Sequence, residues 1–386
     1  MDKGRRKKLR ILFLGNITPY RIGGAEVQAR WLCECFARRG HQVTIAGHLV
    51  PNGELDTGSG ESNRIETVHL TTFQRNRVTR AVSLFFSLFR FLSRRQAGFD
   101  LIFCSSFKDA TLVVALLKRI GLLNLPLVVR CEGYGDSGDA LFLKSMPGTR
   151  WLVFLLNAGC EAVNNLSPRI ETELTAVGLH TRLVRQIPNG VPLPRLEIPV
   201  LFPEDKPRGI LFVGRLVPQK GVSDLLAAVA DLVQRRAVFQ VNVVGTGPLL
   251  KALKKQARDL GIEERVKFHG RIDPGQVPYF YRDSHFLVLP SRQEAFGMAA
   301  VEAMSHGRPV VVTRSGGPEY YVDRLVGRVC PAGDVFALAD AMQEMIDMPL
   351  ASLQEMGLKA RERVEARFNI EDTSNRFLEL FYEVAL

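Results

Sequence analysis

No stretch of this chain approaches the roughly 18 consecutive apolar residues of a membrane span. The N-terminal MDKGRRKKLR is basic, but the apolar run Ile11 to Leu14 is too short for a signal-peptide core and breaks at Gly15-Asn16. These absences predict a cytoplasmic protein, peripheral on the inner membrane face where a basic surface allows it. Cysteine is sparse and scattered: Cys33, Cys35, Cys104, Cys131, Cys160 and Cys330, with no C-x-x-C ligand set. That pattern argues against zinc or disulfides and for reduced core thiols. Fixed-period repeats and low-complexity tracts are missing as well. Gly23-Gly24 belongs to neither a dinucleotide G-x-G-x-x-G nor a Walker A loop.

What is present suits a soluble α/β enzyme. The 386 residues exceed one compact core, so two domains are expected. The apolar share is 46% and the charged share 24%, both ordinary for that class. Net charge is +11, which favours anionic partners: nucleotides, phosphorylated lipids or an acidic membrane face. Nucleic acid fits the charge but not the motifs, because no aromatic-basic recognition sequence occurs.

The chain opens as strand, loop, helix, strand, with Gly23-Gly24 at the helix start, where amides approach a phosphate closely. Residues 48 to 63 read as an irregular loop. In residues 75 to 96, Val78, Val82, Phe85, Phe89 and Leu92 share one helical face, fringed by six arginines. Two readings stay open: an outer helix on the sheet, or an amphipathic patch on an anionic membrane. A later strand ends in RCEGYGDSGD, a second candidate site loop carrying Arg130, Glu132 and Asp136. A single helix is expected near 140 to 156. Residues 192 to 208 hold five prolines and read as the inter-domain linker. The strand–helix alternation then restarts at residue 209.

The stretch PSRQEAFGMAAVEAMSHGRPVVVTRSGG, residues 290 to 317, organises the second half. It reads as strand end, loop, helix, strand, loop: one unit of a parallel sheet. Glu294 and Glu302 bracket the loop-to-helix junction, where open α/β sheets bind ligands. The N–H groups of Phe296, Gly297 and Met298 would attract a diphosphate. Upstream, ILFVGRLVPQKG puts Arg215 just past Gly214 at a strand end, with Lys220 five residues on. Alone these are solvated loop charges. Together with the two glutamates they describe a nucleotide-sugar site: cations for the diphosphate, carboxylates for ribose and hexose hydroxyls. For Glu294 a plain loop charge remains the alternative.

These motifs resemble the retaining nucleotide-sugar glycosyltransferases of family four, which have the GT-B fold. The carrying residues are GRLVPQKG, Glu294-x7-Glu302, Phe296-Gly297, EAMSHGRPVVVT and Gly316 to Glu319, with looser matches at Gly23 to Glu26 and Ile187 to Val191. The resemblance implies two Rossmann-like doubly wound parallel-sheet domains facing a cleft. The first spans 1–191, with 371–386 crossing back to pack on it, then the linker 192–208, then a nucleotide-sugar domain 209–370. Closure over the donor, with the linker as hinge, follows from the same likeness. It implies that Arg215 and Lys220 hold the donor diphosphate, Glu294 the hexose and Glu302 the ribose. Phe296, Gly297, Met298 and Ala299 offer amides, Gly214 ends the strand, and His269 to Arg271 line the base. Gly23 and Gly24 approach the phosphate or acceptor from the first domain.

One departure concerns the RCEGYG loop, where relatives often carry a sugar-contacting His and this chain has Glu132. Glu132, Arg130 and Asp136 are therefore acceptor-side candidates in its place. Ala295 is a milder change. No D-x-D occurs, so neither metal nor cofactor is expected. The implied activity moves a hexosyl unit from a UDP- or GDP-sugar to a glycan or lipid-linked hydroxyl acceptor in cell-surface polysaccharide synthesis. Two alternatives stand: a catalytically silent nucleotide-sugar-binding homologue, or another GT-B enzyme such as an epimerase.

Overall fold

The computed structural model describes residues 7–19, 23–56, 64–73, 75–180, 183–195, 202 and 207–385. The chain divides into two units, Met1–Gly190 with Ile370–Leu386, and Val191–Asn369. Part of the 48–63 loop and most of the proline-rich linker lie outside the described residues, as do the side chains of Arg77 and Val78.

The first unit begins β1 (Arg10–Leu14), α1 (Gly24–Arg38), β2 (Gln42–Gly47), β3 (Gly53–Leu55) and β4 (Ile65–His69). It continues α2 (Arg77–Arg95), β5 (Leu101–Cys104), α3 (Asp109–Arg119), β6 (Leu127–Arg130) and α4 (Asp139–Lys144). It ends α5 (Thr149–Gly159), β7 (Ala162–Asn165), α6 (Pro168–Ala176) and β8 (Leu183–Gln186). Strand order is β3-β4-β2-β1-β5-β6-β7-β8. Every pairing is parallel except β3 with β4. That antiparallel edge lies inside the stretch read as irregular loop; three polar-flanked residues carry no alternation to betray it. The single helix expected near 140 to 156 is two helices. Pro147 cannot continue a helix, and Gly148 adopts φ +75°, a left-handed conformation that turns the chain.

The second unit runs β9 (Arg208–Val213), α7 (Val222–Gln234), β10 (Phe239–Val244), α8 (Leu250–Asp259), β11 (Val266–Gly270) and α9 (Val277–Arg282). Then come β12 (Phe286–Leu289), α10 (Met298–Ser305), β13 (Val310–Arg314), β14 (Gly327–Pro331), α11 (Val335–Asp347) and α12 (Leu350–Arg367). Its sheet is all parallel, ordered β11-β10-β9-β12-β13-β14. Strands such as FLVL of β12 are buried on both faces, as a helix-covered parallel sheet requires.

The last helix, α13 (Ile370–Ala385), belongs to the first unit and packs on α1. Phe377 and Phe381 meet Phe103 at ring-centroid distances of 5.3 and 5.2 Å, and Phe381 meets Phe36 at 5.4 Å. On the other face of the sheet α3 touches both α2 and α5, so these three helices form one layer.

Candidate active site

In the second unit the chain runs β9, β10, β11 to one side of β9, then resumes with β12 on the other. The carboxyl ends of β9 and β12 therefore diverge, and a crevice opens at that switch point. The loop after β9 brings a 3-10 turn, Pro218–Lys220; the loop after β12 brings Pro290 to Gly297. A backbone bond locks the two together, Arg292 N donating to Gln219 O at 2.8 Å, and Glu294 N ties the second loop to Ser315 O after β13 at 3.0 Å. Gly221, at φ +63°, has room for no side chain, since a Cβ there would lie 2.0 Å from Pro290 O. Gly317 is similarly hemmed in, 2.3 Å from Ala295 O. Arg292 clamps Asp224 of α7 through two bonds of 2.8 and 2.7 Å.

This scaffold sets Lys220 Nζ against Glu294 Oε2 in a short ion pair, with Ser291 Oγ donating to the same oxygen at 3.4 Å. The pair stands beside the N-terminus of α10. Gly297 caps that helix at φ +88°, and Tyr321 fixes the cap from behind, donating to Phe296 O (2.7 Å) and Gly297 O (3.2 Å). The first amides to bond back into the helix are those of Ala300 and Val301, both to Gly297 O. The turn that precedes them, through Phe296 and Gly297, forms the N-terminus of α10, the positive end of the helix dipole.

Glu302 lies one helical turn further on, half-buried, and accepts from Tyr281 OH at 2.8 Å. Burial pushes its carboxyl up to about 7, and the tyrosine bond pulls against that. Burial, and then the neighbouring carboxylate, drive the Tyr281 phenol well above its usual range. The residue before Tyr281 reaches the other way: Phe280 packs edge-on against His269, ring centroids 4.7 Å apart, and His269 bonds Asn242 Oδ1 at 2.8 Å. Helix α9 thus ties the strand end at His269 to the carboxylate at Glu302.

Of the residues expected from sequence, the structure gathers Lys220, Glu294 and the α10 N-terminus, and it links Glu302 to His269 through α9. Arg215 sits exposed just past Gly214 at the end of β9, with no carboxylate partner among the described residues and no contact to Glu294. Arg271 is exposed. Tyr281, Tyr321 and the Arg292–Asp224 clamp carry no motif in the sequence; the clamp joins charges 68 residues apart.

The first unit has its own switch point, between β1 and β5. A pocket of about 340 Å³ opens there, walled by Gly15, Asn16, Glu26, Ser106, Lys108 and Glu132 among others. Ser106 holds φ +135°, a strained backbone of the kind found at working sites. Gly23 caps α1 and Gly24 begins it, beside the pocket-lining Ala25 and Glu26. Burial pushes Glu132 up to about 7. Arg130 Nη1 touches its Oε1 at 2.9 Å but off the line of a hydrogen bond, leaving that buried oxygen without a donor. Arg130 is itself fully buried and donates to Asn189 Oδ1 at 2.6 Å, so it supports Glu132 rather than meeting a ligand. Asp136 is exposed and outside the pocket wall.

Residues 23–190 match the family described as Glycosyl transferase 4-like domain, and residues 196–363 match Glycosyl transferases group 1. Glycogen synthase of Mycobacterium tuberculosis is 30% identical over 382 residues, covering 94% of this chain and 91% of that protein. Sucrose-phosphate synthase from Thermosynechococcus elongatus has a similar structure, TM-score 0.77 at 23% identity, covering 97% of this chain and 99% of the other. Anabaena HepE, solved with UDP and glucose, gives 0.76 at 20% identity, covering 97% and 100%. At these identities the structural likeness speaks to fold.

Proposed function

Because the chain belongs to the group 1 glycosyltransferases, GT-B enzymes of the family-four type, we propose that it moves a hexosyl unit from a UDP- or GDP-linked sugar to a hydroxyl acceptor with retention at the anomeric carbon. The observation that carries this reading is the Lys220–Glu294 pair set beside the α10 N-terminus at a sheet switch point. UDP bound to HepE adds weight to a uridine donor.

In the free protein Lys220 and Glu294 neutralise each other. A donor diphosphate arriving at the α10 amides gives Lys220 a more highly charged partner. Glu294 is then released to accept from the hexose hydroxyls. Arg215 supplies a second cation. As the bond from the anomeric carbon to the diphosphate oxygen breaks, negative charge grows where these donors converge. The acceptor oxygen forms its new bond to that carbon from the face the diphosphate leaves, and its proton passes to the departing phosphate oxygen. No side chain is needed as base, and the cations and helix amides do the work a metal would otherwise do. Glu302 takes the ribose hydroxyls, with His269 and Arg271 toward the base.

The acceptor in this reading is a lipid-linked or polysaccharide precursor of a cell-surface glycan, met at the cytoplasmic face of the membrane. Glu132, with an unfilled acceptor oxygen in a pocket of carboxylates, hydroxyls, His48, Arg80 and Lys108, suits a carbohydrate hydroxyl.

Melting-temperature shifts with UDP, GDP and their sugars identify the donor. Transfer assays follow. Glu294→Ala and Lys220→Ala are each expected to cut turnover by about a hundredfold or more. Unchanged turnover in both variants overturns the site assignment. Donor binding with no transfer to any acceptor points instead to a silent homologue.

A further inference from the structure

We propose that the open edge of the second unit's sheet holds a binding groove for an acidic carbohydrate, a short glycan bearing carboxylate or phosphate. Strand β14 ends the sheet order and pairs with β13 alone among the described strands. A cavity of about 560 Å³ lies against it. One wall is the connection from β13 to β14, which brings Glu319, Asp323 and Arg324. The other is α11, which brings Ala337, Asp340 and Glu344. Arg328 of β14 and Arg314 at the end of β13 complete it. In the strand register Arg328 stands opposite Val311 and Arg314 opposite Pro331. The two arginines are thus about 10 Å apart along the sheet, by the rise of a parallel strand. That span exceeds a single sugar ring.

Every carboxylate on these walls is already engaged. Asp323 pairs with Arg363 at 2.9 Å, Asp340 with Arg235 at 2.6 Å and Glu344 with Arg328 at 2.5 Å. Glu319 accepts from Gly316 N through both oxygens, at 2.9 and 3.1 Å. The cations are not used up in the same way. Arg314 and Arg324, both exposed, have no carboxylate partner among the described residues. Arg328 commits Nε to Glu344, and Nη1 to the carbonyls of Arg324 and Gly327 at 3.3 and 2.8 Å. Its Nη2 has no partner among the described residues. Burial pushes the Cys330 thiol in the same cavity up to about 11, so it sets no negative charge against an anion.

Such a groove takes anions at its two ends and hydroxyls between them. Guanidinium forks match carboxylate or phosphate oxygens. Carboxylates that already accept from one partner keep lone pairs for sugar hydroxyls. Two exposed aromatics, Tyr320 and Phe336, adjoin Glu319 and Ala337 in the chain and offer ring faces to sugar C–H groups. Other occupants match less of this lining. A second copy of the chain, related by a two-fold at this edge, would set arginine against arginine. A peptide adding as a further strand would meet Pro331, which has no N–H to donate. Nucleic acid would ask for cations without the four carboxylates between them.

The proposal rests on the glycosyltransferase reading only for its use, since an acidic glycan held here would be an acceptor or a product. No residue of these walls belongs to the donor set. Full-length protein is titrated calorimetrically with trigalacturonate, maltotriose and mannose 6-phosphate, each with and without UDP. Trigalacturonate is expected to bind whether or not UDP is present, and more weakly as salt rises. Mannose 6-phosphate, which reaches one end only, is expected to bind more weakly, and neutral maltotriose to give no measurable heat. Arg314→Gln with Arg324→Gln is expected to weaken trigalacturonate on the order of tenfold, and each substitution alone about threefold. These variants should keep the wild-type melting temperature and its shift with UDP, and one that does so is enough for the test. No binding of trigalacturonate, its displacement by UDP, equal binding of maltotriose, or an affinity that the variants leave unchanged overturns the proposal. Mannose 6-phosphate binding as tightly as trigalacturonate also overturns it, because that result marks a site for a lone phosphate. Failure here leaves the UDP melting shifts untouched, and failure of those leaves trigalacturonate binding untouched.

Discussion

Glu302 is a buried carboxylate held by one tyrosine hydroxyl, and its protonation is coupled to folding. Burial raises its folded pKa from an ordinary 4.5 to about 7. Between those two values the folded state keeps a proton that the unfolded chain gives up. Stability from this group is therefore greatest below pH 4.5, falls as pH rises toward 7 and levels off above. A rise of that size corresponds to a loss on the order of 3 kcal/mol. Glu302→Gln keeps an oxygen for Tyr281 and cannot ionise. The variant is expected to melt with a shallower pH dependence between pH 5 and 7 and to be the more stable protein at pH 8. Calorimetric melts across that range check it, and parallel profiles for wild type and variant would falsify it. Glu132, also raised to about 7, adds a similar slope that the variant retains.

At the scale of elements, the crevice between the ends of β9 and β12 depends on loops that approach closer than side chains permit. Gly221 is one such point, where a Cβ would lie 2.0 Å from Pro290 O. Gly221→Ala forces that contact apart and adds strain at φ +63°, typically about 1 kcal/mol or more. Because Lys220 precedes it, the expected result is a weaker UDP-induced melting shift together with a lower melting temperature. A control, Gly261→Ala, keeps the left-handed backbone strain at φ +66° but meets nothing within 4 Å. Only melting temperature should fall in that control; loss of the UDP shift in it as well would show that strain alone explains the effect. The same loops show what was readable beforehand. Strand, loop and helix around Glu294 could be placed from the apolar run, Pro290 and the helix formers after Gly297, because those signals are local. Lys220 and Glu294 could be grouped by sheet topology, since both follow strands at one edge. Tyr281 could not be assigned to Glu302, because 21 residues separate them and nothing in PYFYR announces a hydroxyl aimed at a distant helix. Nor could Arg130 be placed: a charge that is wholly buried looks, in sequence, like any loop arginine.

At the scale of the molecule, the first unit is not continuous in sequence. Its core closes only when α13 returns after the whole second unit. Ile370, Phe377, Leu378 and Phe381 are buried against β1, β5 and α1, and Glu371 pairs with Arg38 and Arg39 at 2.8 and 2.7 Å. Truncating one such buried phenylalanine to alanine typically costs about 3–5 kcal/mol, comparable to the whole stability of many domains. A 16-residue helix is marginal on its own, so α13 forms because the first unit receives it. The second unit, Val191–Asn369, contains Lys220, Glu294, Glu302 and all of α10 and no residue of α13. Ending the chain at Asn369 is therefore expected to divide the protein's behaviour. The first unit should lose its cooperative melting transition and expose apolar surface, while the second keeps a transition that UDP still raises. Calorimetry with and without UDP reads both outcomes in one sample. A truncated chain that melts as wild type would mean the first core closes without α13. Loss of both transitions would mean that the second unit cannot hold the donor crevice by itself, and that the intact first unit is part of what stabilises it.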